Sequence, residues 1–156
     1  MLKSFKYMIC LSALLLTLSF TSCDMETSDN GDLDGYWHLE QIDTLSTGGV
    51  CDYSGRKVFW GVQYKLISVR DMAVVSRGYY FRFNQTGDSL VLSSPYANHW
   101  HQDQGDDGGD IPIIAVTNDM RDYGVNQLEE HYYKEKLTGG KMVLRTKNLR
   151  LRFTKF

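Results

Sequence analysis

From Gly35 onward, apolar side chains recur at every second position in short runs, the pattern of strands with one buried face. In Gly35-Tyr36-Trp37-His38-Leu39-Glu40, Trp37 and Leu39 share one face and His38 and Glu40 the other. Val58 to Val69 is a longer apolar segment whose even positions are apolar as far as Leu66. Gly61 inside it predicts a bend or bulge where a sheet curls. Tyr79, Phe81 and Phe83 alternate with Tyr80, Arg82 and Asn84, and Gln85-Thr86-Gly87-Asp88 then turns the chain into Leu90 and Leu92, a hairpin pattern. The last third repeats the device: His131 to Leu137, a turn at Thr138-Gly139-Gly140, Met142 to Thr146, a break at Lys147-Asn148, and Leu149, Leu151 and Phe153 alternating with Arg150, Arg152 and Thr154. Residues 44–56 read as a loop and residues 95–130 as irregular, with a helical turn expected only at Asn126 to Glu130. Short strands with hardly any helix predict an all-β domain whose antiparallel sheet closes on itself or packs as a sandwich.

A different pattern precedes the strands. Lys3 and Lys6 flank an apolar run from Met8 to Phe20, which is too short for the roughly twenty residues of a membrane-spanning helix and suits a signal peptide. The run ends in Phe20-Thr21-Ser22-Cys23, the form of a lipoprotein cleavage site; Thr21 and Ser22 fit it, whereas Phe20 stands where leucine is commonest. The competing reading, an ordinary N-terminal core helix, leaves the flanking lysines and Ser22-Cys23 unexplained. We therefore expect residues 1–22 to be removed and Cys23 to bear lipid. The membrane would then be a partner through that lipid, with the protein anchored in the cell envelope at the outer membrane and the face of the membrane left open. Residues 24–34, DMETSDNGDLD, hold five carboxylates and no base. With Cys23 they predict a solvated tether over 23–34 and a domain over 35–156.

Composition narrows the function classes. Without Lys3 and Lys6 the chain has 15 basic and 19 acidic residues and no dense basic cluster, so nucleic acid is not an expected partner. Cys10 leaves with the signal peptide and Cys23 takes lipid, which leaves Cys51 without a disulfide partner. Its setting, Gly48-Gly49-Val50-Cys51-Asp52, allows a small buried residue or a reactive thiol, and with no His or Asn near it in sequence the inert reading is preferred.

Gly35-Tyr36-Trp37 resembles the Gly-x-Trp signature that opens the first strand of lipocalins, and its pairing with an arginine-bearing last strand, Arg150 and Arg152, is similar to the way such barrels close at the base. Three further stretches resemble the small lipocalin-like lipoproteins of Gram-negative bacteria: Arg82 to Leu90, Asp122-Tyr123-Gly124-Val125, and Lys136 to Leu144 running on into Leu149 to Phe153. The resemblance covers most of residues 35–156. It implies a lipocalin-like antiparallel β-barrel of about eight strands, with Trp37 packed near the base under Arg150 or Arg152. The chain departs from large lipocalins in its shortness and in lacking their disulfide and C-terminal helix.

Two functions fit such a barrel. One is a binding module with a small apolar or amphipathic ligand inside, for which Tyr64, Tyr79, Phe81 and Phe83 are the expected lining and Trp100, on the long loop, a cover for the mouth. The other is an interaction module of the envelope whose barrel is filled, as large inward residues such as Met142 and Phe153 would favour. His99-Trp100-His101 followed by Asp103, Asp106, Asp107 and Asp110 brings potential metal ligands together, but read as a calcium loop it has Gly105 and Ile114 where oxygens are needed, so no metal is expected. His38 and His131 read as strand surface, and Glu40, Glu129 and Glu130 as solvated carboxylates. Hydrolase, metalloprotease, phosphate-loop and Cys-x-x-Cys motifs are absent from the sequence, and no catalytic residue or cofactor is expected. Asp43-Thr44-Leu45 and Asp88-Ser89-Leu90 resemble bacterial O-glycosylation tripeptides, with a plain turn entering a strand the preferred reading at Ser89.

Overall fold

The computed structural model describes residues 28–75, 78–99 and 110–156. Ten strands follow in chain order: β1 (Gly35–Thr44), β2 (Gly49–Asp52), β3 (Val58–Gln63), β4 (Leu66–Asp71), β5 (Tyr79–Gln85), β6 (Ser89–Ala97), β7 (Ile111–Pro112), β8 (Glu130–Leu137), β9 (Lys141–Arg145) and β10 (Leu149–Lys155), with one short helix, α1 (Asn118–Asp122), between β7 and β8. Antiparallel pairing runs β10-β9-β8-β6-β5-β4-β3-β1, and β1 pairs with β10 in turn, closing an eight-stranded barrel. β2 continues along β1 beyond β3, and β7 adds to β6.

Alternation sets the inward face. Val58, Trp60 and Val62 of β3, Ile67 and Val69 of β4, Tyr79 and Phe81 of β5, Leu90 and Leu92 of β6, Met142 and Leu144 of β9, and Leu151 and Phe153 of β10 are all buried. Each fully buried Leu, Ile, Val or Phe contributes roughly 1.5–3 kcal/mol. Three register shifts interrupt the described barrel strands: one in β1 between Leu39 and Gln41, one in β8 between Lys134 and Lys136, and one opposite Tyr80 to Arg82, where Ser94 of β6 takes a left-handed φ of 48°.

Several local expectations give way. The apolar segment Val58 to Val69 makes two strands, joined by Tyr64-Lys65, and Tyr64 turns the chain with a φ of 53°. Gly61 is no bulge, since β3 and β4 pair without a break from Val58 to Gln63. A strand, β2, lies inside the segment read as a loop. The helical turn falls at Asn118–Asp122 and not at Asn126–Glu130, because Thr117 caps it by accepting the Met120 N–H through Oγ1 at 3.2 Å.

Part of the segment expected to be a solvated tether, residues 28–34, is folded. Leu33 is fully buried and Asn30 nearly so, and a single 3-10 turn spans Gly31–Leu33. The Asn30 amide donates to the Tyr64 carbonyl at 2.7 Å and to Asp34 Oδ1 at 2.8 Å, while Gln85 Nε2 donates to the Asn30 carbonyl at 3.2 Å. Residues 28–34 are therefore part of the barrel base. Their carboxylates face water while Leu33 seals the bottom, a split that average composition hides.

Candidate functional site

Both ends of the barrel are stoppered by the chain itself. At the base, Trp37 is fully buried and donates from its indole nitrogen to the Leu33 carbonyl at 2.8 Å. At the opposite end, α1 and the residues after it push Met120, Tyr123 and Val125 into the core. Gly124 makes this entry possible. Its φ is +91°, and a Cβ there would stand 2.2 Å from Leu151 Cδ2, so only glycine fits.

Aromatic rings occupy the space between the stoppers. Trp60 meets Tyr132 edge-on at 5.7 Å and Phe153 at 5.1 Å, and all three are essentially without solvent exposure. Their polar atoms are satisfied inside: the Trp60 indole donates to the Tyr123 carbonyl at 3.3 Å, and the Tyr132 hydroxyl donates to the Gly124 carbonyl at 2.9 Å. Burial pushes the Tyr132 hydroxyl well above its ordinary value and raises Tyr123 to about 12, so neither ionises at physiological pH.

The expected ligand-lining residues divide accordingly. Tyr79 and Phe81 are inward and buried, with the Tyr79 hydroxyl 2.8 Å from Thr117 Oγ1; Phe83 is half-buried against the core. These three serve packing. Tyr64 is not inward: it sits on the β3–β4 turn, 47% exposed, because the turn reverses the alternation that had placed it inside. Trp100 lies outside the described residues, as do Cys23, His101, Asp103, Asp106 and Asp107.

Barrel closure needs a correction as well. Arg150 and Arg152 point away from Trp37, because the odd positions of β10 face inward and the even ones outward. Arg150 forms a two-pronged ion pair with Glu135 (2.7 and 3.0 Å), and Arg152 binds Asp43 at 3.0 Å. The cation over Trp37 is Lys155, whose Nζ is 4.9 Å from the ring centroid and donates to the Asp32 carbonyl at 3.1 Å. Lys155 pairs with Trp37 in the β1–β10 register, a position the sequence left unremarked.

The remaining candidates stay apart. His38 Nδ1 is 3.0 Å from Glu40 and its Nε2 2.6 Å from the Arg56 carbonyl, an arrangement that ties β1 to the loop before β3. His131 pairs with Glu129 on the surface. Glu130 is buried, not solvated, and accepts the Asn126 N–H at 2.6 Å; burial raises its pKa, partly offset by backbone hydrogen bonds from Asn126 and Gln127. Cys51 is exposed on β2, so the buried reading of that thiol fails. Among the described residues no three His, Cys, Asp or Glu side chains gather as metal ligands would.

The concave surface that sequence reasoning missed lies outside the barrel. Tyr36, Gly61, Ser68 and Tyr80 stand side by side, in register, on the outer faces of β1, β3, β4 and β5. Two tyrosines thus flank a floor of two small residues. Together with Asp34, Gln63, Tyr64, Leu66 and Ser28 they bound a groove of about 740 Å³, within the roughly 300–1,000 Å³ of small-molecule sites. A Cβ on Gly61 would lie 2.7 Å from both Ser68 Oγ and the Tyr36 ring, so the glycine is what lets that ring lie against the sheet beside Ser68. Behind the groove, Tyr36 leans on Phe59 at 5.3 Å, which in turn packs against His38 and Phe156.

Comparison with known proteins agrees with this architecture. A crystal structure of a lipocalin-like protein from Bacteroides uniformis superposes with a TM-score of 0.57 at 18% identity, over 81% of this chain and all of the other. An uncharacterized protein from Bacteroides eggerthii gives 0.54 at 17% identity, over 79% of this chain and 98% of the other. A search of curated proteins finds no match. The model of the lipocalin-like domain family matches residues 16–156, and the lipocalin-like barrel supports a ligand-binding role in general. The chain belongs to the lipocalin-like domain family.

Proposed function

We propose that residues 23–156 form a lipid-anchored protein of the cell envelope, held at the outer membrane through Cys23, that binds a small amphipathic molecule without transforming it. We place the ligand in the outer groove over Gly61 and not in the barrel. One observation carries that choice: the barrel axis is occupied by Trp60, Tyr132 and Phe153, whereas the groove is open, concave and lined by tyrosines. The filled interior also favours a second reading, an envelope interaction module whose outer face meets another protein. Two experiments test the proposal. Cys23→Ala is expected to move the protein from the membrane fraction to the soluble one, and unchanged partitioning would reject the anchor. Extraction of the protein from its native host with organic solvent, followed by mass spectrometry, is expected to release a small molecule; Gly61→Gln, which fills the groove, should purify without it. A ligand retained by Gly61→Gln would return the site to the barrel, and the finding of a co-purifying protein alone would favour the interaction module.

A further inference from the structure

We infer that the groove takes an uncharged saccharide, with a sugar ring laid against Tyr36 and Tyr80; the inference rests on the groove being the binding site. A pyranose presents an apolar face of C–H bonds and an edge of hydroxyl groups. A surface that suits it offers aromatic faces for the first and short polar side chains for the second. The groove has both. Tyr36 and Tyr80 end a row of four residues across four neighbouring strands, with Gly61 and Ser68 between them; at about 4.8 Å per strand their backbones stand roughly 14 Å apart. Tyr36 is 41% exposed, and its packing against Phe59 fixes the ring before anything binds.

The polar lining decides between ligand classes. Asp34, Gln63, Ser28 and Ser68 supply a carboxylate, an amide and two hydroxyls, and no described lining residue is basic. Lys65, on the β3–β4 turn between Tyr64 and Leu66, is exposed and is not part of that lining, and Lys155 is committed to the Asp32 carbonyl and the Trp37 ring. A fatty acid or other anionic amphiphile would meet the Asp34 carboxylate with no basic residue in the described lining to receive it. A plain alkyl chain would displace water from the Asp34 carboxylate and the Gln63 amide without offering a hydrogen bond in return, a cost a hydroxylated ligand avoids. Asp34 already accepts from Asn30 at 2.8 Å, which orients the carboxylate while leaving capacity for a sugar hydroxyl.

The test uses the mature protein in phosphatidylcholine nanodiscs, titrated by calorimetry with maltohexaose, cellohexaose, xylohexaose and mannohexaose, and separately with laurate and dodecylamine. At least one neutral oligosaccharide is expected to bind saturably, and laurate is not. Tyr36→Ala and Gly61→Gln should each weaken sugar binding tenfold or more, with unchanged thermal unfolding as the check that the barrel is intact. Gln63→Ala, at an exposed position, serves as a third variant and should weaken binding severalfold. Binding seen only in nanodiscs doped with monogalactosyl diacylglycerol would assign the same sugar chemistry to a lipid headgroup. Laurate or dodecylamine binding that Gly61→Gln abolishes, with no sugar bound, would overturn the saccharide and leave the groove standing. If no probe binds in any form, both the saccharide and the groove fall.

Discussion

Lys155 lies across the ring of Trp37, with its ammonium 4.9 Å from the centroid, and the two residues face each other in the register that closes the barrel. The lipocalin-like base is thus capped by a lysine from the last strand, while the two arginines of that strand are spent on Glu135 and Asp43 outside.

Trp37→Ala is expected to destabilise the domain by about 3–5 kcal/mol, since it empties a fully buried site and orphans the Leu33 carbonyl. Lys155→Met should cost about 0.5–1 kcal/mol. Arg150→Ala and Arg152→Ala should leave the urea midpoint near the parent's, because their ion pairs are exposed. An arginine variant as damaging as Trp37→Ala would restore those residues to the base.

Gly124→Ala should destabilise by roughly 1–3 kcal/mol or more, combining overpacking against Leu151 with a left-handed φ. Gly55→Ala and Gly87→Ala, where an added Cβ meets nothing within 4 Å, are the controls and should unfold near the parent temperature. Scanning calorimetry on the three variants checks the contrast.

Glu130 and Glu135 should titrate on opposite sides of an ordinary glutamate. Burial raises Glu130, and the hydrogen bond and charge of Arg150, with Arg145 beside it, lower Glu135. A raised native pKa means that the folded chain holds the Glu130 proton more tightly than the unfolded chain does. Its contribution to stability is therefore complete below the unfolded value near 4.5 and is lost as pH rises through the higher native value. Urea unfolding of the parent and of Glu130→Gln between pH 4 and 7 should diverge in that window, the parent alone losing this contribution as pH increases. Parallel curves would contradict the burial effect.

Cys51 should react with a water-soluble maleimide in native buffer, since it is exposed on β2. Labelling that appears only in denaturant would mean that something covers this strand.

The strands of the last third were legible because each is short and bounded by glycine or a polar break, and because β9 and β10 alternate, so period and boundary agree. Val58 to Val69 was harder. Val62 ends one inward set and Ile67 begins the next, but Leu66 is also apolar, so the even-numbered apolar pattern runs on through the turn at Tyr64-Lys65. That single slip put Tyr64 inside and made Gly61 look like a bulge. The groove was not legible at all, because it depends on register: Tyr36, Gly61, Ser68 and Tyr80 are scattered in sequence and adjacent only once four strands pair. Likewise Leu33 is one apolar residue in an acidic stretch, and its burial follows from the turn at Gly31, not from any periodicity.

The folded segment at residues 28–34 also fixes how the domain would ride on its anchor. Only residues 24–27 lie between Cys23 and Ser28, and five residue steps reach at most about 17 Å when fully drawn out. If Cys23 carries lipid as proposed, a domain on so short a leash would stay beside the bilayer with its base, and the rim of the Gly61 groove at Ser28, turned toward it. Pulling on the lipid would load the Asn30 hydrogen bonds to Tyr64 and Asp34 and the wedge of Leu33 beneath Trp37, so tension would meet the base of the barrel first.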